Sequence, residues 1–260
     1  MTRTYVVTGA ASGIGKATKT LLEERGGRVI GVDLTDSDVN ADLSTAEGRT
    51  MLMDEVTRLS GGAVDGVIAN AGLATPTATT VAVNFYGTIA TLEGLRPLLA
   101  ASSAPRAVAT ASMASLFPPD DELLAELLDG TEERAMARAA ELAAGTPEEG
   151  GLIYGTTKRA LVRWIRRNAP TPDWAGAGIA LNAIAPGVVL TPMVAGFMET
   201  EEQRTALAGM VPMPLNGFFE PEDAAKLLAW LVSEENAHLC GQVVFIDGGS
   251  DAVIRGDSTW

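Results

Sequence analysis

The chain of 260 residues is 47% hydrophobic with 28 glycines and 13 prolines, a composition that packs a globular core and not a disordered or fibrous chain. Its formal net charge of −14 argues against a surface for nucleic acid or an anionic membrane, because clustered Lys and Arg capture both. The one cysteine, Cys240, allows no internal disulfide, and the one histidine, His238, supports neither a metal cluster nor, without a Gly-x-Ser-x-Gly elbow, a Ser-His-Asp hydrolase.

Met1-Thr2-Arg3-Thr4 leads directly into an apolar run, so no signal peptide is expected, and no apolar stretch approaches the ~20 residues of a membrane span. The expected location is the cytoplasm. Tyr5-Val6-Val7 reads as a first strand and Lys16 to Glu24 as a helix, which puts Thr8-Gly9-Ala10-Ala11-Ser12-Gly13-Ile14-Gly15 at a strand-to-helix corner. Unpaired N–H groups and the positive dipole end of a helix attract a pyrophosphate, and glycine lets the main chain approach it. The Gly-x-x-x-Gly-x-Gly spacing is one interval wider than the usual dinucleotide fingerprint, and a glycine-rich turn without a ligand is the bland alternative.

Arg28 to Asp33 reads as a second strand ending in a carboxylate twenty residues after Gly13, where a ribose-binding acid stands in dinucleotide folds. An acid there favours NAD and repels the 2′-phosphate of NADP, and Leu34 follows with no Arg or Lys beside it; a solvated turn acid is the alternative. Asn40-Ala41-Asp42-Leu43 precedes an amphipathic helix, with Ser44 as the expected N-cap and Glu47 completing a capping box. Val64 to Ala69 is a third strand, ending in the small turn Asn70-Ala71-Gly72. Strands alternating with helices imply a doubly wound parallel sheet with helices on both faces, and ligands at the carboxyl ends of its strands.

Thr80 to Ile89 is expected to be helical, with Asn84 among apolar neighbours as a structural hydrogen-bonding group. Ala107 to Ser112 is a buried-type strand ending in hydroxyls. Residues 117–151 break the alternation: two candidate helices with ten acids against two bases between Asp120 and Glu149 look like an inserted surface hairpin for packing or subunit contact. Tyr154-Gly155-Thr156-Thr157-Lys158 is expected to open the next helix, with Tyr154 and Lys158 on one face, so that the ammonium lowers the phenol's pKa toward the range of proton transfer. Ala177 to Ala185 reads as a strand closed by Pro186-Gly187, followed by Val189 and Thr191. The apolar, irregular stretch from Met193 to Phe219 suits a mobile cover over an apolar substrate, within a covering region of residues 191–220, although a plain surface helix pair would use similar residues. A last strand runs from Gln242 to Ile246, and His238 and Cys240 are ordinary structural residues. No repeat or linker divides the chain, so residues 1–260 form a single domain.

Thr8-Gly9…Gly13-x-Gly15, Asn70-Ala71-Gly72, Asn84, Ser112, Tyr154-x-x-x-Lys158 and Pro186-Gly187 with Thr191 together resemble the short-chain dehydrogenase/reductase family over essentially the whole chain. The separation of Ser112 from Tyr154, 42 positions, far exceeds the family's usual interval, and the acidic hairpin accounts for the excess. The hairpin, the run Asp42 to Gly48 and the ending Ile246-Asp247-Gly248-Gly249-x-Asp251-Ala252-Val253 resemble the bacterial 3α-hydroxysteroid dehydrogenase/carbonyl reductase branch.

The resemblance implies a single-domain Rossmann fold that interconverts a secondary alcohol and a ketone by hydride transfer with NAD, on a bulky apolar substrate. Its residues would be Gly9, Ser12, Gly13, Ile14, Gly15, Asp33, Leu34, Asp42, Leu43, Asn70, Ala71, Gly72, Pro186, Gly187, Val189 and Thr191 for the cofactor, with no metal. Tyr154 would be the acid and base, Ser112 would hold the substrate oxygen, Lys158 would bind the nicotinamide ribose and Asn84 would position a water. A homo-oligomer is implied, a dimer favoured over a tetramer. Two other readings remain: an epimerase or lyase that retains its NAD, and a non-catalytic NAD-sensing or scaffold protein.

Overall fold

In the computed structural model, which describes residues 2–258, the chain forms a seven-stranded, wholly parallel sheet in the order β3-β2-β1-β4-β5-β6-β7. The strands are β1 (Thr4–Thr8), β2 (Arg28–Asp33), β3 (Val39–Asn40), β4 (Gly66–Ala69), β5 (Arg106–Thr110), β6 (Ala180–Pro186) and β7 (Val243–Ile246). The helices are α1 (Gly13–Glu24), α2 (Ala46–Ser60), α3 (Ala78–Val81), α4 (Thr88–Leu99), α5 (Asp121–Asp129), α6 (Glu132–Ala144), α7 (Pro147–Asn168), α8 (Glu201–Met210), α9 (Pro221–Leu231) and α10 (Ser250–Arg255).

Successive side chains of a strand face opposite sides, and the sheet uses this to build two cores. Tyr5, Val7, Ile68, Val108 and Ile184 pack with Leu22 of α1 and Leu228 of α9. Val6, Val67, Ala107, Ala109, Leu181 and Ala183 pack on the other face with Leu52 of α2, Leu92 and Leu95 of α4 and Leu161 of α7. The sequence progression reverses between β1 and β4, and the register aligns Val7 with both Gly31 and Ile68. Gly9 and Asn70, which follow β1 and β4, and Asp33, which ends β2, therefore lie at one level of the sheet. That is the crevice in which an open α/β sheet binds its ligand.

Several boundaries differ from those expected. Thr45, not Ser44, caps α2: its hydroxyl accepts the Gly48 N–H at 3.0 Å, while the Ser44 hydroxyl is spent on the Asp42 carboxylate at 2.6 Å. Helix α7 begins at Pro147 with a capping box between Thr146 and Glu149, so Tyr154 lies well inside the helix instead of opening it. A helix interior holds the phenol and the ammonium more rigidly than a fraying end would. Before β6, Ala175–Ala177 form a 3-10 turn and Gly178 is left-handed, which delays the strand to Ala180. The stretch from Met193 to Phe219 is less irregular than expected, because a Thr200–Gln203 capping box supports α8.

Residues 82–87 join α3 to α4 as a π-helical segment, and Asn84 sits within it. The inserted helices α5 and α6 are not a loose hairpin. Leu123, Leu124, Leu127, Ala135, Ala139 and Leu142 are buried and belong to the core that α4 and α7 share. Each buried leucine contributes about 1.5–3 kcal/mol, so the insertion is fixed to the face of the sheet that α4 and α7 cover. Arg138 also donates to both oxygens of Asp120, the α5 N-cap, at 3.1 and 2.8 Å. No helix among the described residues is long and apolar enough to cross a membrane.

Candidate active site

The glycine corner follows β1. Gly9 and Gly13 have φ of 70° and 49°, which side chains rarely adopt. Gly15 serves packing, since a Cβ there would lie 2.0 Å from the Gly9 carbonyl oxygen. Ser12, the N-cap of α1, makes no side-chain cap bond, and the first turn carries no acid. The positive end of α1 thus has neither of its usual side-chain partners and is available to an anion. From the end of β2, the Asp33 carboxylate accepts the Ala11 and Leu34 N–H groups, each at 2.8 Å, which ties the corner to the neighbouring strand.

A hydroxyl ladder links this corner to α7, which carries Tyr154 and Lys158. Thr8 Oγ accepts the Asn70 and Ala71 N–H groups, both at 3.0 Å, and Thr110 Oγ donates to Asn70 Oδ1 at 3.0 Å. Lys158 Nζ donates to the Thr110 carbonyl at 2.9 Å. Asn84 is fully buried; its Oδ1 accepts the Leu73 N–H at 2.7 Å and its Nδ2 donates to the Leu73 carbonyl at 2.9 Å. That two-point bond is the structural role expected for a buried amide, and it shapes the turn after Gly72. A Cβ on Gly72 would stand 3.2 Å from Asn84 Oδ1 and 3.5 Å from Lys158 Nζ, so both polar groups close on the same glycine.

Lys158, 3% exposed, has its Nζ 5.8 Å from the centre of the Tyr154 ring. Burial lowers the Lys158 pKa to about 8. The expected fall in the Tyr154 pKa is not observed: burial raises it, and the hydrogen bond from Ser112 opposes the rise without cancelling it. The reason is desolvation. Both groups lie in one low-dielectric pocket, which disfavours the phenolate and the ammonium alike. Ser112 Oγ accepts the Ala114 N–H at 3.1 Å, which leaves its own proton to donate toward Tyr154 or a substrate oxygen.

These groups open on one cleft of about 160 Å³. Of the residues expected at the site, Gly9, Ser12, Gly13, Ile14, Asn70, Ala71, Gly72, Ser112, Tyr154, Lys158, Pro186, Gly187, Val189 and Thr191 line it. Gly15, Asp33, Leu34, Asp42, Leu43 and Asn84 do not. Asp33 and Leu34 flank the corner at the β2 end, Leu43 is buried, Asp42 is exposed and engaged by Ser44, and Asn84 lies behind Gly72. Thr110, Ala111, Pro192, Met193 and Val194 also line the cleft; Pro192, Met193 and Val194 fall in the expected covering region of residues 191–220, whereas Thr110 and Ala111 were not named as site residues. For these two, the strand-end position of Thr110, two residues before Ser112, offered the signal.

Tyr154 and Lys158 are the only ionisable side chains among the residues lining the cleft. Proton transfer there has no carboxylate, imidazole or thiol at hand. No group of three or more His, Cys, Asp or Glu that could hold a metal ion occurs among the described residues.

A reversing parallel sheet, an uncapped glycine-cornered helix and a half-buried Tyr154 paired with a buried Lys158 at the same edge define an α/β oxidoreductase of the nicotinamide-dinucleotide class. The family model described as short chain dehydrogenase matches residues 3–121, and that described as Enoyl-(Acyl carrier protein) reductase matches residues 135–251. The 3-alpha-hydroxysteroid dehydrogenase/carbonyl reductase of Comamonas testosteroni is 37% identical over 255 residues, covering 96% of this chain and 97% of that protein. The crystal structure of the 3-alpha-hydroxysteroid dehydrogenase from Pseudomonas sp. B-0831 complexed with NADH superposes with a TM-score of 0.89 at 36% identity, over 98% of this chain and 99% of that one. A putative NAD(P) dependent gluconate 5-dehydrogenase from Beutenbergia cavernae with bound NADP gives a TM-score of 0.74 at 26% identity, over 96% and 97%. The chain belongs to the short-chain dehydrogenase/reductase family, whose members are oxidoreductases that use a nicotinamide cofactor.

Proposed function

We propose that this protein interconverts a secondary alcohol and a ketone using NAD(H), on a bulky apolar substrate such as a hydroxysteroid or a terpene-like, cyclic or aryl alcohol. The carrying observation is the cleft whose only ionisable lining groups are Tyr154 and Lys158, running from the α1 N-terminus to Ser112. The residues present fit a dinucleotide. The α1 end has unclaimed N–H donors and no first-turn acid, and Asp33 stands at the adjoining strand end for the ribose hydroxyls. As a fixed anion, Asp33 favours NAD over NADP.

NAD(H), when bound, supplies the hydride acceptor or donor at its nicotinamide ring. In oxidation Tyr154 takes the proton of the substrate hydroxyl; in reduction it returns that proton to the oxygen on which charge develops. Ser112 donates a hydrogen bond to that oxygen. Lys158, held by the Thr110 carbonyl, holds the nicotinamide ribose and is the cation nearest the phenolate, and this family role works against the desolvation that raises the Tyr154 pKa. Asn84 holds Leu73, and the remaining lone pair of its Oδ1 is the acceptor for the water that the family resemblance assigns to this position. Residues 191–220 serve as the cover: Met193, Phe197 and Met210 are 41%, 55% and 60% exposed, an apolar rim without a partner, and α8 has no buried residue to pin it down. The inserted helices α5 and α6 pack on α7, and α6 on α3, and the family resemblance implies that this insertion of residues 117–151 favours a homodimer over a tetramer.

The test is a panel of steroid, terpene-like, aryl and cyclic alcohols and ketones, assayed with NAD(H) and separately with NADP(H). Tyr154→Phe is expected to abolish turnover while NADH still binds. Loss of both together would give Tyr154 a structural role, and turnover without net use of NADH would point to an epimerase or lyase.

A further inference from the structure

Ser112 is useful only if it is held beside Tyr154, yet it lies at the end of β5, 42 positions away in the chain. After Ser112 the backbone makes a 3-10 turn, Met113–Leu116, closed by the Ser115 N–H to the Ser112 carbonyl at 3.0 Å. This turn lies against α7. A Cβ on Gly155 would stand 3.1 Å from the Ala114 carbonyl oxygen, so the bare helix face at Gly155 lets the turn approach closely. Arg159, one helical turn on from Gly155, donates from Nε to the Ser115 carbonyl at 2.8 Å and from Nη2 to the Leu116 carbonyl at 3.0 Å.

Tyr154 and Lys158 form one i, i+4 pair on α7, and Gly155 and Arg159 form the next, about 100° further round the helix. The first pair faces the cleft while the second grips the turn that carries Ser112. We infer that Arg159 is a positioning residue for the reaction: by clasping the Ser115 and Leu116 carbonyls it sets the Ser112 hydroxyl against Tyr154. Two fork-shaped donors on successive carbonyls fix orientation as well as distance, which a single ammonium donor would not. Thr156 adds a second anchor downstream, its hydroxyl accepting the Asp120 N–H at 3.0 Å, so the same helix turns also hold the start of the insertion. The inference rests on the proposed redox role of Tyr154 and Ser112. Around Tyr154, Lys158 from its own helix is the charged group within reach, and Ser112 from the β5 end is the hydrogen-bond donor.

The test compares wild type, Arg159→Met, Arg159→Lys and Gly155→Ala, with Arg96→Met on α4 as a stability control away from the site. In Arg159→Met, loss of the charged donors is expected to lower kcat at least about tenfold. The limb of the kcat profile that reports Tyr154 ionisation should move to higher pH, because the phenolate loses its Ser112 donor. NADH affinity should stay within about twofold, since the coenzyme contacts lie on other elements. Arg159→Lys should restore part of kcat, and Gly155→Ala, which pushes on the Ala114 carbonyl, should move the limb in the same direction even if Arg159→Met fails to fold. Arg96→Met should leave the limb in place. Wild-type kcat and an unmoved limb in folded Arg159→Met, or in Gly155→Ala when that variant alone folds, would overturn the clasp. So would an equal loss of turnover and NADH binding without displacement of the limb. Absence of Tyr154-dependent turnover in the wild type would instead overturn the redox reading beneath it.

Discussion

Lys158 gives a prediction that needs no substrate. It is 3% exposed and donates to the Thr110 carbonyl, and burial lowers its pKa from the ordinary 10.5 to about 8. Below pH 8 the lysine is protonated in both folded and unfolded chains, and the folded state bears the full cost of the buried charge. Between about pH 8 and 10 the folded protein has released that proton while the unfolded chain keeps it. Stability at this position therefore rises with pH by about 1.4 kcal/mol per unit, or about 3 kcal/mol over the window. Tyr154 and Tyr86 are shifted upward, the latter to about 12, so their opposite contribution begins only above the ordinary phenol pKa of 10. The assay is denaturant unfolding of wild type and Lys158→Met at about pH 7 and about pH 10. The stability difference between the two proteins should change by about 3 kcal/mol in favour of wild type as pH rises. A constant offset across the window would mean that Lys158 is not desolvated as described, and the account of the Tyr154 environment would fall with it.

Asp33→Asn keeps an acceptor for the Ala11 N–H but removes the charge, and the NAD-over-NADP ratio of kcat/KM should fall by about tenfold or more. An unchanged ratio would place cofactor choice elsewhere. Gly15→Ala would drive a methyl group to within 2.0 Å of the Gly9 carbonyl and is expected to abolish NADH binding, read by fluorescence titration. Gly151→Ala, in an α7 position with open space around it, should instead raise stability by about 0.5–1 kcal/mol in a melting or denaturant assay.

Most of the architecture was legible because local chemistry carried it. The glycine corner, Asp33, the Asn70-Ala71-Gly72 turn and Pro186-Gly187 each end a strand, and parallel strands bring such ends to one edge whatever the helices between them do. The Tyr154–Lys158 pair was legible for the same reason, since helical spacing alone puts both on one face. The caps were less so: Ser44 and Thr45 are adjacent candidates, and only the competing bond to Asp42 decides between them. Thr110 was marked only by its strand-end position and Arg159 by nothing local, because their partners are a lysine 48 positions away and carbonyls 44 and 43 positions away. Asn84 was expected to hold structural hydrogen bonds and, by the family resemblance, to position a water; its Leu73 partner depends on how the π-helical segment folds back on the turn.

By itself the sequence determined the alternation of strands and helices and placed the candidate site residues at strand ends and on one helix face, because periodicity and backbone preference act over a few residues. Tertiary structure alone decided the environment in which those residues work. Desolvation depends on everything packed around a group. The spacing that promised a phenol activated by an ammonium therefore became, once folded, a pair in which burial raises the one pKa and lowers the other.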